Sequence, residues 1–163
     1  MSRGTLYVFC GKMASGKSTL ARQIAAERAS TMLSEDHLLA ALYAGEVNDV
    51  SSYVRCSDKL KSAIRPVLID LLRNGASVVL DFPANTVTQR RWIQDVIVQA
   101  GASHEFHYLH SSDESCKARL KARAIEEPQR HATDTVAMFD AITRFFEPPS
   151  NDEGFDIIRH DCG

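Results

Sequence analysis

One stretch has the residue types and the spacing to hold a polyphosphate: Gly11-Lys12-Met13-Ala14-Ser15-Gly16-Lys17-Ser18. It fits G-x-x-x-x-G-K-[ST], in which glycines let successive backbone N–H groups turn inward around phosphate oxygens. A helix starting at the end of the loop adds its positive pole. Lys17 can reach the terminal phosphates, the Ser18 hydroxyl can ligate Mg²⁺, and Thr19 follows at the exit of the loop. The loop predicts a nucleoside triphosphate bound with Mg²⁺.

Further along, single residues could supply the remaining chemistry. Asp36, after a short apolar run, is either a general base for an acceptor hydroxyl or a plain N-cap for the next helix. Ser34 and Glu35 read as a cap and a solvent-facing residue. Asp81 ends an apolar run, where a carboxylate binds Mg²⁺ directly or through water; the alternative is a loop Asp capping Ala84 or Asn85. Arg119 and Arg123 stand four apart on an expected helix, so both guanidiniums can aim at one spot, or they form a solvated basic face with Lys117 and Lys121. Arg90 and Arg91 fall in the first turns of a helix, as exposed cations or as binders of a substrate anion. His104, His107 and His110 do not predict zinc, because a spacing of three on a strand puts His104 and His107 on opposite faces.

The elements that must position these residues follow from periodicity. Leu6 to Cys10 reads as a strand, and Ser18 to Arg28 as a helix with Leu20, Ala21, Ile24 and Ala25 on one face. Thr31 to Leu33 is a second strand, and His37 to Ala44 a helix closed by Gly45. Glu46 to Ser57 is polar and mixed, with no assigned element. Lys59 to Leu72 is helical and stopped by Asn74-Gly75, with a kink or two abutting helices expected at Pro66. Ala76 to Leu80 is an apolar run suited to a central parallel strand. A helix around Trp92, Ile93, Val96 and Ile97 ends at Gly101, and Ser103 to Leu109 is a fourth strand. Ser111-Ser112-Asp113 caps a helix to Ala124. Thr133 to Phe146 is a further helix, and Phe155 to Ile158 the last strand. Alternating strands and helices imply a parallel sheet with right-handed crossovers. The loops at Gly11–Ser18, 34–36, 81–85 and 110–113 should then converge beyond the strands' carboxyl ends.

Composition narrows the function. The chain has 163 residues, 44% of them hydrophobic, and a net charge of -2. That fits one domain with a substantial core and lacks the basic surface of a duplex-DNA binder, while leaving a local basic groove open. No apolar run is long enough for a bilayer or a secretory leader, which predicts a cytoplasmic protein without a membrane partner. Cys10, Cys56, Cys116 and Cys162 have no metal or redox spacing and read as reduced structural thiols. A GTPase would carry Asn-Lys-x-Asp and Asp-x-x-Gly, and neither occurs. A motor ATPase would follow its metal-site Asp with Glu, whereas Phe82 follows Asp81.

On these residues the sequence resembles the P-loop kinases of the nucleotide-kinase superfamily, in particular those related to polynucleotide kinase, zeta toxin and antibiotic kinases. The resemblance spans essentially the whole chain and is most specific at the loop. It implies a three-layer α/β/α P-loop domain over 1–163, with a five-stranded parallel sheet ordered 2-3-1-4-5. The stretch from about 112 to 132 would be a helical lid bearing Arg119 and Arg123. Asp36 matches the substrate-activating Asp of polynucleotide kinases, and Phe146 to Phe155 resembles a segment near the nucleotide base. The implied activity is transfer of the γ-phosphate of ATP, with Mg²⁺, to a hydroxyl of a small-molecule acceptor. Lys17, Asp36, Arg119 and Arg123 would be catalytic, and Ser18 and Asp81 would hold the metal. His37-Leu38-Leu39 departs from polynucleotide kinase, in which polar and basic residues follow the activating Asp. The alternatives are a nucleotide-binding module or slow ATPase, and a nucleic-acid 5′-hydroxyl kinase.

Overall fold

Strands and helices alternate along the chain: β1 (Thr5–Cys10), α1 (Lys17–Glu27), β2 (Thr31–Ser34), α2 (Glu35–Leu42), α3 (Val50–Arg73), β3 (Val78–Asp81), α4 (Val87–Ala100), β4 (Ser103–His110), α5 (Asp113–Glu126), α6 (Val136–Thr143) and β5 (Ile157–Asp161). A computed structural model describes residues 2–128 and 134–163 of this arrangement. The strands form one five-stranded sheet in the order β2-β3-β1-β4-β5, and every neighbouring pair is parallel.

The side-chain period of two divides β1 between the two faces of the sheet. Leu6, Val8 and Cys10 join Val78, Leu80 and the apolar faces of α3 and α4 in the main core. Tyr7 and Phe9 point the other way and pack with Val79 against Ala21 and Ile24 of α1. Helices therefore cover both faces, as the continuous apolar run of β3 requires.

Several boundaries differ from those read off the sequence. The unassigned stretch contains the start of α3: Asp49 is its N-cap, and a capping box with Ser52 opens the helix at Val50. The helix then runs unbroken through Pro66 rather than as two abutting helices. Pro66 and Ser62 both face solvent, so the Ser62 carbonyl that loses its donor can be hydrated. α2 begins two residues earlier than expected, because Ser34 caps it by accepting from the His37 amide. β5 is shifted towards the C-terminus and carries Arg159, His160 and Asp161. Pairing to β4 alone makes it an edge strand, which needs no apolar pattern. α6 is capped by Thr135 and ends at Thr143. Thr133, where that helix was expected to start, lies outside the described residues, as do residues 129–132 of the expected lid.

Candidate active site

The carboxyl ends of β1, β2, β3 and β4 bring the four loops together. Between β1 and α1 the chain turns tightly enough that a side chain at position 11 would not fit. A Cβ on Gly11 would lie 2.5 Å from Ser15 Oγ and 2.9 Å from the Leu109 carbonyl oxygen. Ala14 at φ 60° and Gly16 at φ 100° are both left-handed, which turns the loop's backbone inward before α1 begins. The Ser15 amide donates to the Lys12 carbonyl at 3.1 Å, while Ser15 Oγ is buried without a hydrogen-bond partner among the described residues. A buried hydroxyl left unbonded inside such a loop fits a site built for an oxygen-rich ligand.

Lys17 folds back over its own loop. Its Nζ donates to the carbonyls of Gly11 and, at 3.0 Å, of Lys12. Burial lowers the ammonium from its ordinary value, against the opposing pull of Cys10, Asp81 and Asp36. At the first turn of α1, Ser18 Oγ donates to Asp81 Oδ2 at 2.9 Å. Burial raises the Asp81 carboxyl, which the Ser18 bond and the Lys17 charge counter and the Asp36 charge reinforces. Asp81 does not cap Ala84 or Asn85. The loop after β3 contributes a residue that the sequence reading placed only as loop: Asn85, whose Oδ1 accepts from the Gly11 amide at 2.9 Å.

Asp36 stands at the second position of α2, exposed, at the end of β2 where Ser34 is in register with Asp81. It is not the cap, since Ser34 takes that place. Its charge is felt at both Lys17 and Asp81, and among the described residues its carboxylate has no hydrogen-bond partner. Its neighbour reverses the expectation for a polar residue: Glu35 is buried, not solvent-facing.

The two arginines of α5 part company. Arg119 lies against the loop: Nη1 donates to Ser111 Oγ at 3.3 Å and points at the Ser15 carbonyl at 3.5 Å, while Nη2 donates to the Cys162 carbonyl at 3.1 Å. Arg123 Nε instead donates to Asp134 Oδ2 at 2.6 Å, so the pair does not converge on one spot. Lys12 Nζ, at the mouth of the loop, pairs with Asp113 at 2.6 Å and lies over the Phe146 ring. Beside Arg119 a cavity of about 420 Å³ opens between Gly16, Thr19, Leu109, His160 and Cys162. These walls come from the end of the loop, from α1 and from the ends of β4 and β5, while Phe146 of the segment 146–155 lies under Lys12 at the mouth of the loop.

Arg90 is neither an exposed cation nor free for a substrate anion. Its side chain is 1% exposed; Nε pairs with Glu153 at 2.8 Å, and Nη1 donates to the carbonyls of Ala84 at 3.0 Å and Glu147 at 2.8 Å. The histidines serve packing: His104 meets Phe155 edge-on, and His107 stacks on Phe9 on the other face and bonds His160. No cluster of three or more His, Cys, Asp or Glu among the described residues could hold a metal ion. All four cysteines are free, and burial pushes the Cys10 thiol up to about 12. No described helix is long and apolar enough to cross a membrane.

With this geometry in view, the profile of a family described as an AAA domain matches residues 6–149. No curated protein matches the chain. Among solved structures, the chain is similar to the Mycobacterium tuberculosis APS kinase CysC in complex with AMPPNP and APS, at 20% identity and a TM-score of 0.65, covering 99% of this chain and 90% of that one. It is similar to Chaetomium thermophilum Kti12 in complex with ADP-AlF3, at 18% identity and a TM-score of 0.69, covering 96% and 88%. It is also similar to a fungal RNA kinase, at 13% identity and a TM-score of 0.66, covering 100% and 76%. The shared feature is the fold; this chain is a P-loop kinase-like α/β/α domain with its sheet in the order β2-β3-β1-β4-β5.

Proposed function

The chain belongs to the AAA domain family, and from that premise and the loop's geometry we propose that it transfers the γ-phosphate of ATP to a hydroxyl of a small-molecule acceptor. The observation that carries the reading is Asp36. It is an exposed carboxylate with no hydrogen bond of its own among the described residues, within electrostatic reach of Lys17 and Asp81. An Asp in the first turn complements the helix dipole in any protein. What favours a base is that this carboxylate is left unbonded among the described residues, within reach of the phosphate-loop lysine and the strand-end Asp, where it can take an acceptor's proton.

In this reading the amides of Gly11 to Ser18 and the start of α1 hold the phosphates. Lys17 exchanges its two carbonyl acceptors for phosphate oxygens, and Thr19 stands at the same helix start. Ser18 and Asp81 would hold Mg²⁺, since a hydroxyl and a carboxylate already in contact offer hard oxygens. When bound, that ion would supply positive charge between the phosphates. The cavity beside Arg119 suits the nucleoside. Asp36 accepts the proton of the acceptor hydroxyl as its oxygen bonds the γ-phosphorus. The bond from that phosphorus to the bridging oxygen breaks, and ADP leaves with the electron pair. Arg119 lies close enough to the loop to counter the charge that develops. Arg123 can join it only when its pair with Asp134 opens. Residues 1–163 form a single domain in this reading, with about 112–132 as its lid, of which 112–128 lie among the described residues.

Neighbours in fold span APS, sugar and RNA kinases, so fold does not select the acceptor. The test is incubation of the protein with [γ-³²P]ATP, Mg²⁺ and a panel of sugars, nucleosides, antibiotics and 5′-hydroxyl oligonucleotides. Label should appear on a small-molecule alcohol. Label on an oligonucleotide alone would make this a nucleic-acid kinase. Free phosphate released at a rate no acceptor changes would make it an ATPase or a nucleotide-dependent module.

A further inference from the structure

Glu35 is a buried acid for which the proposed chemistry has no direct use. It is 1% exposed, yet it opens α2 immediately before the exposed Asp36. Tyr53 Oη donates to its Oε1, and Ser57 Oγ donates to its Oε2 at 2.8 Å. Both donors sit on α3, four residues apart and so on one face. Burial raises the Glu35 carboxyl, while the two hydroxyl bonds and the Lys61 charge pull it back.

α2 is eight residues long, too short to be stable without tertiary anchors. Its buried apolar anchor is Leu39. Among the described residues, Glu35 is the only member of α2 whose side chain hydrogen-bonds to another element. Apolar packing at this seam would be cheaper than a buried carboxylate, but it is non-directional. Two hydroxyl–carboxylate bonds also fix the rotation of the helix's first turn about its axis. That rotation sets the direction in which Asp36 points, because among the described residues no hydrogen bond or ion pair at the Asp36 carboxylate does so.

We propose that Glu35 is a positioning residue, which through Tyr53 and Ser57 fixes the first turn of α2 on α3 and so aims Asp36 at the acceptor position. This rests on the reading of Asp36 as the base. A misaimed base costs on the order of 10²-fold in rate.

The test is a double-mutant cycle on hydrolysis of [γ-³²P]ATP, with water as the acceptor, for Glu35→Ala, Asp36→Asn and the double variant. Amide hydrogen exchange over residues 35–42 of the nucleotide-free protein is measured alongside. Glu35→Ala should slow hydrolysis on the order of 10²-fold alone and cause no further loss in the Asp36→Asn background. Exchange at 37–39, whose amides bond back to Ser34 and Glu35, should accelerate while that of the loop at 11–18 is unchanged. Glu35→Gln can accept from Tyr53 and donate to Ser57, and it should restore both. Should Glu35→Ala fail to fold, Tyr53→Phe removes one donor while keeping the ring, and it should shift both readouts the same way. A full loss persisting in the Asp36→Asn background, or unchanged exchange at 37–39, overturns the proposal. Slow Asp36→Asn beside a Glu35→Ala protein at the wild-type rate overturns it alone. Asp36→Asn at the wild-type rate removes the base reading and this proposal with it.

Discussion

Replacing Arg90 by Met should be the most destabilising single change at the rim of the site. The side chain is 1% exposed and connects three segments: the loop after β3, through the Ala84 carbonyl; the stretch after α6, through the Glu147 carbonyl; and Glu153. Met keeps much of the volume, so little of the loss would come from a cavity. What remains is a carboxylate and the carbonyls of Ala84, Glu147 and, at 3.5 Å, Pro148 without their donor. Breaking a buried pair by removing one partner costs about 3–5 kcal/mol. For a chain of this length each kcal/mol lowers Tm by about 2–4 °C, so the loss corresponds to roughly 6–20 °C. The pH dependence carries its own sign. Burial disfavours the Glu153 carboxylate, but the bonds from Arg90 and the Ser150 amide outweigh it and hold the group below its ordinary value. A depressed carboxyl stabilises the fold above its unfolded pKa, and that stabilisation is lost as pH falls through the folded value. The gap between wild type and Arg90→Met should therefore be full at pH 7 and narrow in acid. Urea unfolding at pH 7 and at about pH 3.5 measures it. A loss under about 1 kcal/mol at pH 7, or a gap that widens in acid, would refute the argument. Arg90→Lys should not rescue stability, since a point charge cannot reproduce the fork that serves Glu153 and the carbonyls of Ala84, Glu147 and Pro148.

Other substitutions separate binding from folding. Lys17→Ala removes a charge-assisted contact to phosphate and should weaken ATP affinity by roughly 10–100-fold with an unchanged circular dichroism spectrum. Gly11→Ala drives a Cβ to 2.5 Å from Ser15 Oγ and 2.9 Å from the Leu109 carbonyl, so it should lower both nucleotide affinity and Tm. Asp81→Asn should weaken Mg²⁺-dependent binding while raising stability at neutral pH. The Asp81 carboxyl is raised in the fold, mainly by burial, so its ionisation costs stability as pH rises through the folded value. That advantage of the variant should vanish below about pH 4, where the carboxyl is protonated in both states.

The phosphate loop was legible because its constraints are local: two glycines, a lysine and a hydroxyl within one strand–turn–helix unit. The parallel sheet followed from apolar runs such as that of β3, and its order from the resemblance. What escaped the reading were charges inside the fold. Periodicity treats Glu35 and Arg90 as surface residues, and only their partners Tyr53, Ser57 and Glu153, from 18 to 63 positions away, show otherwise. Arg123 failed for a related reason. Spacing on α5 says which face it shares with Arg119, but Asp134, on the following segment, decides where it points. The start of α3 was hidden because Val50 to Ser57 carries exposed Val54 and Arg55 beside buried Ser52 and Ser57, a mixture without an apolar stripe. Asn85 carried one weak signal, its position in a strand-end loop that faces the phosphate site.

The measurement that bears most directly on the account compares Asp36→Asn with wild type in two assays: titration with AMPPNP in Mg²⁺, and phosphoryl transfer from [γ-³²P]ATP to the acceptor labelled in the panel. Asp36 is exposed and caps nothing, so the variant should fold and bind the analogue as wild type does. Without a base, transfer should fall by roughly 10²–10⁴-fold. Transfer by Asp36→Asn at the wild-type rate, with binding intact, would contradict the claim that this carboxylate makes the nucleotide site a kinase.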